Sequence, residues 1–208
     1  MKKLTVQQKN ARQDKWIFGT LLLFSLLGLI VAFVLSYEKL ELLKEPDKIL
    51  SCSINAALNC ASVMKTWQAT VFGFPNSWIG LAAFPVMMCV AFGGLLGVKY
   101  TKAFFNVFVG GLAVALIFAH WLFFQSVYVI DVLCPWCLVV TFSTTILFWT
   151  GLQYSLRENT FNLTDAYNKK AQSFLKKDGT KVAAMLWEAA LLIIIIQHFG
   201  ARLTATGL

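Results

Sequence analysis

Five stretches of this chain, 16–36, 75–98, 103–127, 134–154 and 182–199, are long, apolar and almost free of charge. A helix needs about 20 residues to cross a hydrocarbon layer of ~30 Å, so each stretch has the length of a span. Backbone groups in lipid find no water, and a single segment can satisfy its own N–H and C=O groups only as an α-helix. The chain is therefore expected to be an all-α integral membrane protein with five transmembrane helices. Its composition agrees. Hydrophobic residues make up 58% and charged residues only 13%, against about 25% charged in an ordinary soluble domain.

Basic residues precede the first stretch as they do in a signal peptide, but its apolar core is too long for one. No small-x-small cleavage site follows before Tyr37, so it reads as a retained signal anchor. Lysine and arginine then set the expected orientation, because basic loops stay on the cytoplasmic side. Of the 18 basic residues, 13 fall in segment 1–15, at Lys99 and Lys102, or in segment 155–181. The amino terminus is thus expected to be cytoplasmic, with 37–74 and the short connection near 128–133 facing outward. The net charge of +8 reports this asymmetry, and nucleic-acid binding is not inferred from it.

The expected organisation is a cytoplasmic basic terminus at 1–15, a four-helix bundle at 16–154 carrying the outer loop 37–74, a cytoplasmic basic connection at 155–181, a fifth span at 182–199 and an outer tail at 200–208. Within the outer loop, four lysines nearly cancel Glu38, Glu41, Glu45 and Asp47. Pro46 should break the helical pattern of 37–43, and Gly73-Phe74-Pro75-Asn76 is turn chemistry leading into a helix.

Four of the five cysteines fall on the expected outer side, where thiols become oxidised. Cys134-Pro135-Trp136-Cys137 sits at the mouth of the fourth span, so its sulfurs lie one helical turn apart on one face. The free N–H groups of a helix start favour thiolate, which predicts Cys134 as the more polarised sulfur, with Cys137 a turn deeper. Cys52 and Cys60 lie eight residues apart. In a straight helix that is ~12 Å, beyond the ~7 Å that a disulfide tolerates between Cα atoms, so a bonded pair requires the segment between them to bend. Such a link suits a relay in which Cys60 alternates between Cys52 and Cys134 by exchange. Structural disulfides and a zinc site are the alternatives, although structural zinc favours two close pairs. No metal is expected.

In order along the chain, these features resemble the vitamin K epoxide reductase (VKOR) family over about residues 16–155: a first span, a loop with Cys52-x7-Cys60, Asn76-Ser77-x-x-Gly80 heading the second span, and Cys134-x-x-Cys137 opening the fourth. The resemblance, to a bacterial homologue, implies a four-helix bundle enclosing a quinone headgroup near the outer face of the cell membrane. It implies Cys137 beside the quinone, Cys134 exchanging with Cys60, and Cys52 receiving electrons from a thioredoxin-fold, DsbA-like partner. Asn76 resembles the family asparagine that hydrogen-bonds a quinone carbonyl, and Val63, Met64, Ile79, Gly80 and Leu122 are placed near the quinone by analogy of position. The acceptor would be menaquinone, ubiquinone or a related species, and the net result disulfide formation in exported proteins. Thr66 stands where the family usually carries serine, and Thr141 where the animal enzymes carry tyrosine. Many bacterial relatives carry a fused thioredoxin-like domain after the fifth span; here the partner is expected in trans. A DsbB-type oxidase performs the same net reaction, but its cysteine pairs come in the reverse order. From a different class, a transporter or assembly subunit would use the same cysteines as staples.

Elsewhere, Cys89 is expected to pack inertly inside the bundle, and Gly93-Gly94, Gly97 and Gly110-Gly111 to permit close helix contacts. His120, within the third span, reads either as a proton relay or as a neutral ring bonded to a neighbouring helix. His198 is expected at the interface, and Asp131 in solvent.

Overall fold

The computed structural model describes residues 6–205. Lys2 and Lys3 of the basic terminus and residues 206–208 of the tail lie outside the described residues. The first helix, α1, is Val6–Lys44, one unbroken helix of 39 residues. At 1.5 Å per residue it rises ~58 Å, well past a ~30 Å core, so its last turns reach the loop that carries Cys52 and Cys60. It ends just before Pro46, which disfavours helical geometry at Glu45.

A short helix, α2 (Cys60–Met64), and a 3-10 turn at Trp67–Thr70 lead into α3 (Ser77–Leu95). Gly97, at φ 91°, closes the α3 end in the left-handed conformation that glycine adopts without penalty. The antiparallel α4 (Lys102–Gln125) continues into a π turn at Ser126–Ile130, and α5 (Pro135–Arg157) follows. A surface helix, α6 (Asp165–Lys176), lies within the basic connection, and α7 (Gly179–Ala205) completes the chain. Five of these helices are long and apolar enough to cross a membrane, so the protein is multi-pass and all-helical.

α1 packs between α3 and α5, α4 packs on the other side of α5, and α7 also lies against α5. The core joins Phe18, Phe84, Phe105, Leu112, Leu147 and Tyr154, with the Phe105 and Tyr154 rings 4.3 Å apart. All the loop cysteines sit at one end of the bundle. At the other, Arg157 forms an ion pair with Asp14 that joins α5 to α1.

Two expectations change. Cys89 is exposed on the helix surface and does not pack inside. A Cβ at Gly110 or Gly111 would meet nothing within 4 Å, so these glycines bring no helices together; Gly94 does, since a Cβ there would lie 2.3 Å from the Phe18 ring. Asp131, at φ 57°, is a solvated loop carboxylate as expected, with two cationic partners besides. It binds His198 at 2.8 Å and Arg202 at 2.7 Å, tying the loop before Cys134 to the end of α7. These two partners hold its carboxyl below the usual range, the arginine being the larger cause. His120 takes the bonded alternative: its Nε2 accepts from Trp187 Nε1 on α7 at 2.8 Å.

Candidate active site

Local turn chemistry brings the four cysteines together. The Asn55 side chain accepts hydrogen bonds from the N–H groups of Ala57 and Leu58 at 2.9 and 2.8 Å, reversing the chain between Cys52 and Cys60. The required bend is therefore present, and Cys52 and Cys60 form a disulfide with Cα atoms 5.6 Å apart. Leu58 and Leu133 then pair as an isolated parallel bridge. Leu133 N–H donates to Ala57 at 2.8 Å, and Asn59 N–H donates to Leu133 at 2.9 Å. Cys60 follows one partner by two residues and Cys134 follows the other by one, so the bridge places their sulfurs side by side. Cys134 Sγ stands 3.2 Å from Cys60 Sγ, within the range of a near-attack contact.

Both of those sulfurs are buried, at 0% and 1% exposure for Cys60 and Cys134. Cys134 caps α5, and its sulfur accepts a bond from Cys137 N–H at 3.3 Å. The helix start alone predicts an acidified thiol. Burial outweighs it and, with the hydrogen bond to the Cys137 side chain, pushes the Cys134 thiol well above its ordinary value. Cys134 thus stands as a buried free thiol beside a formed disulfide, while Cys137 is half-buried and faces a cavity.

That cavity, about 200 Å³, opens between α3 and α4, which barely touch each other. Its wall is mostly apolar and includes Cys134, Cys137, Asn76, Val63, Met64, Ile79, Gly80 and Leu122, so every residue singled out in the sequence for the acceptor site lines one space except the Cys52 that enters from the loop and its partner Cys60. Asn76 reaches the cavity with part of its amide already engaged: Nδ2 donates to the Gln68 carbonyl at 2.6 Å and Oδ1 accepts from Val71 N–H at 3.3 Å. One amide hydrogen is left for a ligand. Gly80 has a packing reason for being glycine, since a Cβ there would come within 2.9 Å of Ala32 on α1.

Sequence reasoning did not single out Lys39, Gln68 and Thr144, which supply further polar groups to the wall. Thr144 lies seven residues after Cys137, on the same helical face, and that spacing is a usable signal. A few convergent polar groups in an otherwise apolar cavity are the make-up of a small-molecule site.

A family model described as Vitamin K epoxide reductase family matches residues 20–152, which include all four of these cysteines. The chain belongs to the vitamin K epoxide reductase family. The match runs from within α1 to within α5 and leaves α6 and α7 outside it. A search of curated proteins found no match. Membership makes the chain a membrane thiol-disulfide oxidoreductase of a family that uses a quinone and a thioredoxin-like partner.

Proposed function

We propose that this VKOR-family protein takes electrons from a thioredoxin-fold donor through Cys52 and Cys60 and passes them through Cys134 and Cys137 to a membrane quinone, so making disulfides for exported proteins. The observation that carries this reading is the 3.2 Å approach of the Cys134 sulfur to Cys60 of the Cys52–Cys60 disulfide. A staple needs no third sulfur at that distance; an exchange relay does. In the proposed orientation the cysteine end faces the outer side of the cytoplasmic membrane, consistent with the basic residues gathered toward the opposite end.

Each exchange conserves one disulfide while moving a thiol pair inward. A donor thiolate attacks Cys52 and frees Cys60; the donor's second thiol closes the donor disulfide and releases Cys52; Cys60 then attacks Cys134 of the Cys134–Cys137 disulfide and expels Cys137; Cys52 re-forms its bond with Cys60 and releases Cys134. Cys52 is only 3% exposed, so the donor gains access when the loop around it opens. Cys137 ends as the thiol facing the cavity. The quinone supplies the two-electron, two-proton sink, and Asn76 holds the remaining amide hydrogen toward its oxygen. A hydrogen bond there strengthens as charge builds on that oxygen in a site of low dielectric.

The test is quinone reduction by detergent-purified protein supplied with reduced thioredoxin and short-chain ubiquinone or menaquinone analogues. Wild type should form quinol, and Cys137→Ala should fall to background with its thermal melt unchanged. Absence of turnover in folded wild type, or turnover that survives in the variant, would sink the reading.

A further inference from the structure

The sulfur cluster has one more neighbour, which the relay above does not use. Glu38 stands near the end of α1, with its side chain only 6% exposed. Its Oε1 accepts from Ser51 N–H at 3.2 Å and from the Ser51 hydroxyl. Its Oε2 lies 3.2 Å from Cys52 Sγ. A carboxylate withdrawn from water is costly unless paired. Yet among the described residues Glu38 forms no ion pair. The nearby cations face elsewhere: Lys39 Nζ donates to the Met64 carbonyl at 2.6 Å, while Lys44 and Lys48 bind Glu41. Nor does a metal account for the group. The ligand atoms of Glu38, Cys52 and Cys60 fall within 4.8 Å of one another, but the two sulfurs are bonded to each other.

The chain therefore keeps a buried acid with one oxygen held by Ser51 and the other against a redox sulfur. While the disulfide is closed, that sulfur has no proton to donate. The free oxygen gains a hydrogen-bond donor only when Cys52 becomes a thiol.

We propose that Glu38 is the general base of the relay, taking the proton from Cys52 as it attacks Cys60. The step rests on the relay reading above and balances as follows. The Glu38 carboxylate takes the Cys52 proton, the Cys52–Cys60 bond forms, the Cys60–Cys134 bond breaks, and Cys134 leaves as thiolate with the bonding pair. No net oxidation occurs, and the proton passes to solvent when the loop opens for the next donor. Of the groups clustered with Cys52, Glu38 from α1 is the one that titrates at this point, because Cys60 from α2 and Cys134 before α5 are joined in the mixed disulfide.

The test uses protein with both cysteine pairs oxidised and no quinone present. Dithiothreitol is added, samples are quenched in acid, and thiol at Cys134 is counted by maleimide labelling and peptide mass spectrometry from about pH 6 to 9. An ordinary thiol is only about 3% ionised at pH 7, so Glu38→Gln should slow Cys134 release by about thirtyfold there, with the gap shrinking below about twofold by pH 9 as solvent does the base's work. Glu38→Asp should recover the wild-type pH shape at a lower rate. Ser51→Ala removes the hydroxyl bond but leaves the acid, and should keep that shape too. Parallel profiles for Glu38→Gln and wild type, at equal or uniformly lower rate, would overturn the base and leave Glu38 a brace for the loop. Cys52→Ala measures direct reduction of the inner pair; if it matches wild type, the relay itself falls, and with it the premise of the proposal.

Discussion

Helix α3 meets its two neighbours in opposite ways. Toward α1 the backbones come close, because Gly28, Gly80 and Gly94 leave room for Phe84, Ala32 and Phe18. Toward α4 the helices stand apart, joined at one end by the short turn at Gly97 and bridged at the other by the segment before α3. There Gln68 Nε2 donates to Gln125 at 3.3 Å, Phe72 packs on Phe118 at 5.6 Å, and Trp67 on Trp121 at 6.1 Å. In lipid no hydrophobic force drives one helix onto another, so close contact depends on small residues at the seam. Toward α4, Ala83, Ala115 and Ala119 line the gap, and with the two helices held apart at their ends a cavity persists. The close seam and the candidate acceptor cavity thus lie along the same helix, with Gly80 and Ala32 bordering both.

The difference can be tested by filling each side in turn. The largest effect is expected in the gap. Ala119→Phe projects into the cavity and should raise the quinone KM at least about tenfold, roughly 1.4 kcal/mol in binding, while the thermal melt stays put. A titration showing unchanged quinone affinity would mean that the acceptor sits elsewhere. Next comes the seam. Gly94→Val drives a branched side chain into Phe18 and should cost about 1–3 kcal/mol in stability, read by denaturant unfolding in detergent micelles. An unshifted unfolding curve would show that α1 and α3 do not depend on that contact. Smallest is the control on the open surface. Gly110→Ala meets no neighbour and should stabilise by about 0.4–1 kcal/mol through the unfolded chain, with turnover unaltered; a loss of stability there would contradict the distinction between the two kinds of glycine.

The spans were legible because lipid leaves an apolar segment no other backbone structure, and α1, α3, α4, α5 and α7 occupy the stretches that hydropathy marks. Facing was not legible. Helices that are apolar nearly all round carry little amphipathic signal to separate the lipid side from the packed side, which is why Cys89 and Gly110-Gly111 were assigned to the interior and Gly94 was not told apart from them. Glu38 was passed over for a related reason. In the sequence it is one of four acids that nearly cancel four lysines, and only the fold shows that it is the one turned inward, onto Cys52, while Glu41 meets the lysines.

Of the candidate site, the residue types and their order were in the chain itself. Cysteine chemistry, a helix start at Pro135 and an apolar membrane phase follow from local composition and spacing. What only the tertiary structure decided is which sulfur meets which, and how far each is withdrawn from water. The pairing of Leu58 with Leu133 joins segments 75 positions apart and thereby sets Cys60 against Cys134, and the burial of that contact reverses the acidity that the helix start predicts for Cys134. Sequence spacing carries local geometry because the backbone is short-ranged in its preferences; contact between distant segments and the dielectric around them arise only when the whole chain is packed.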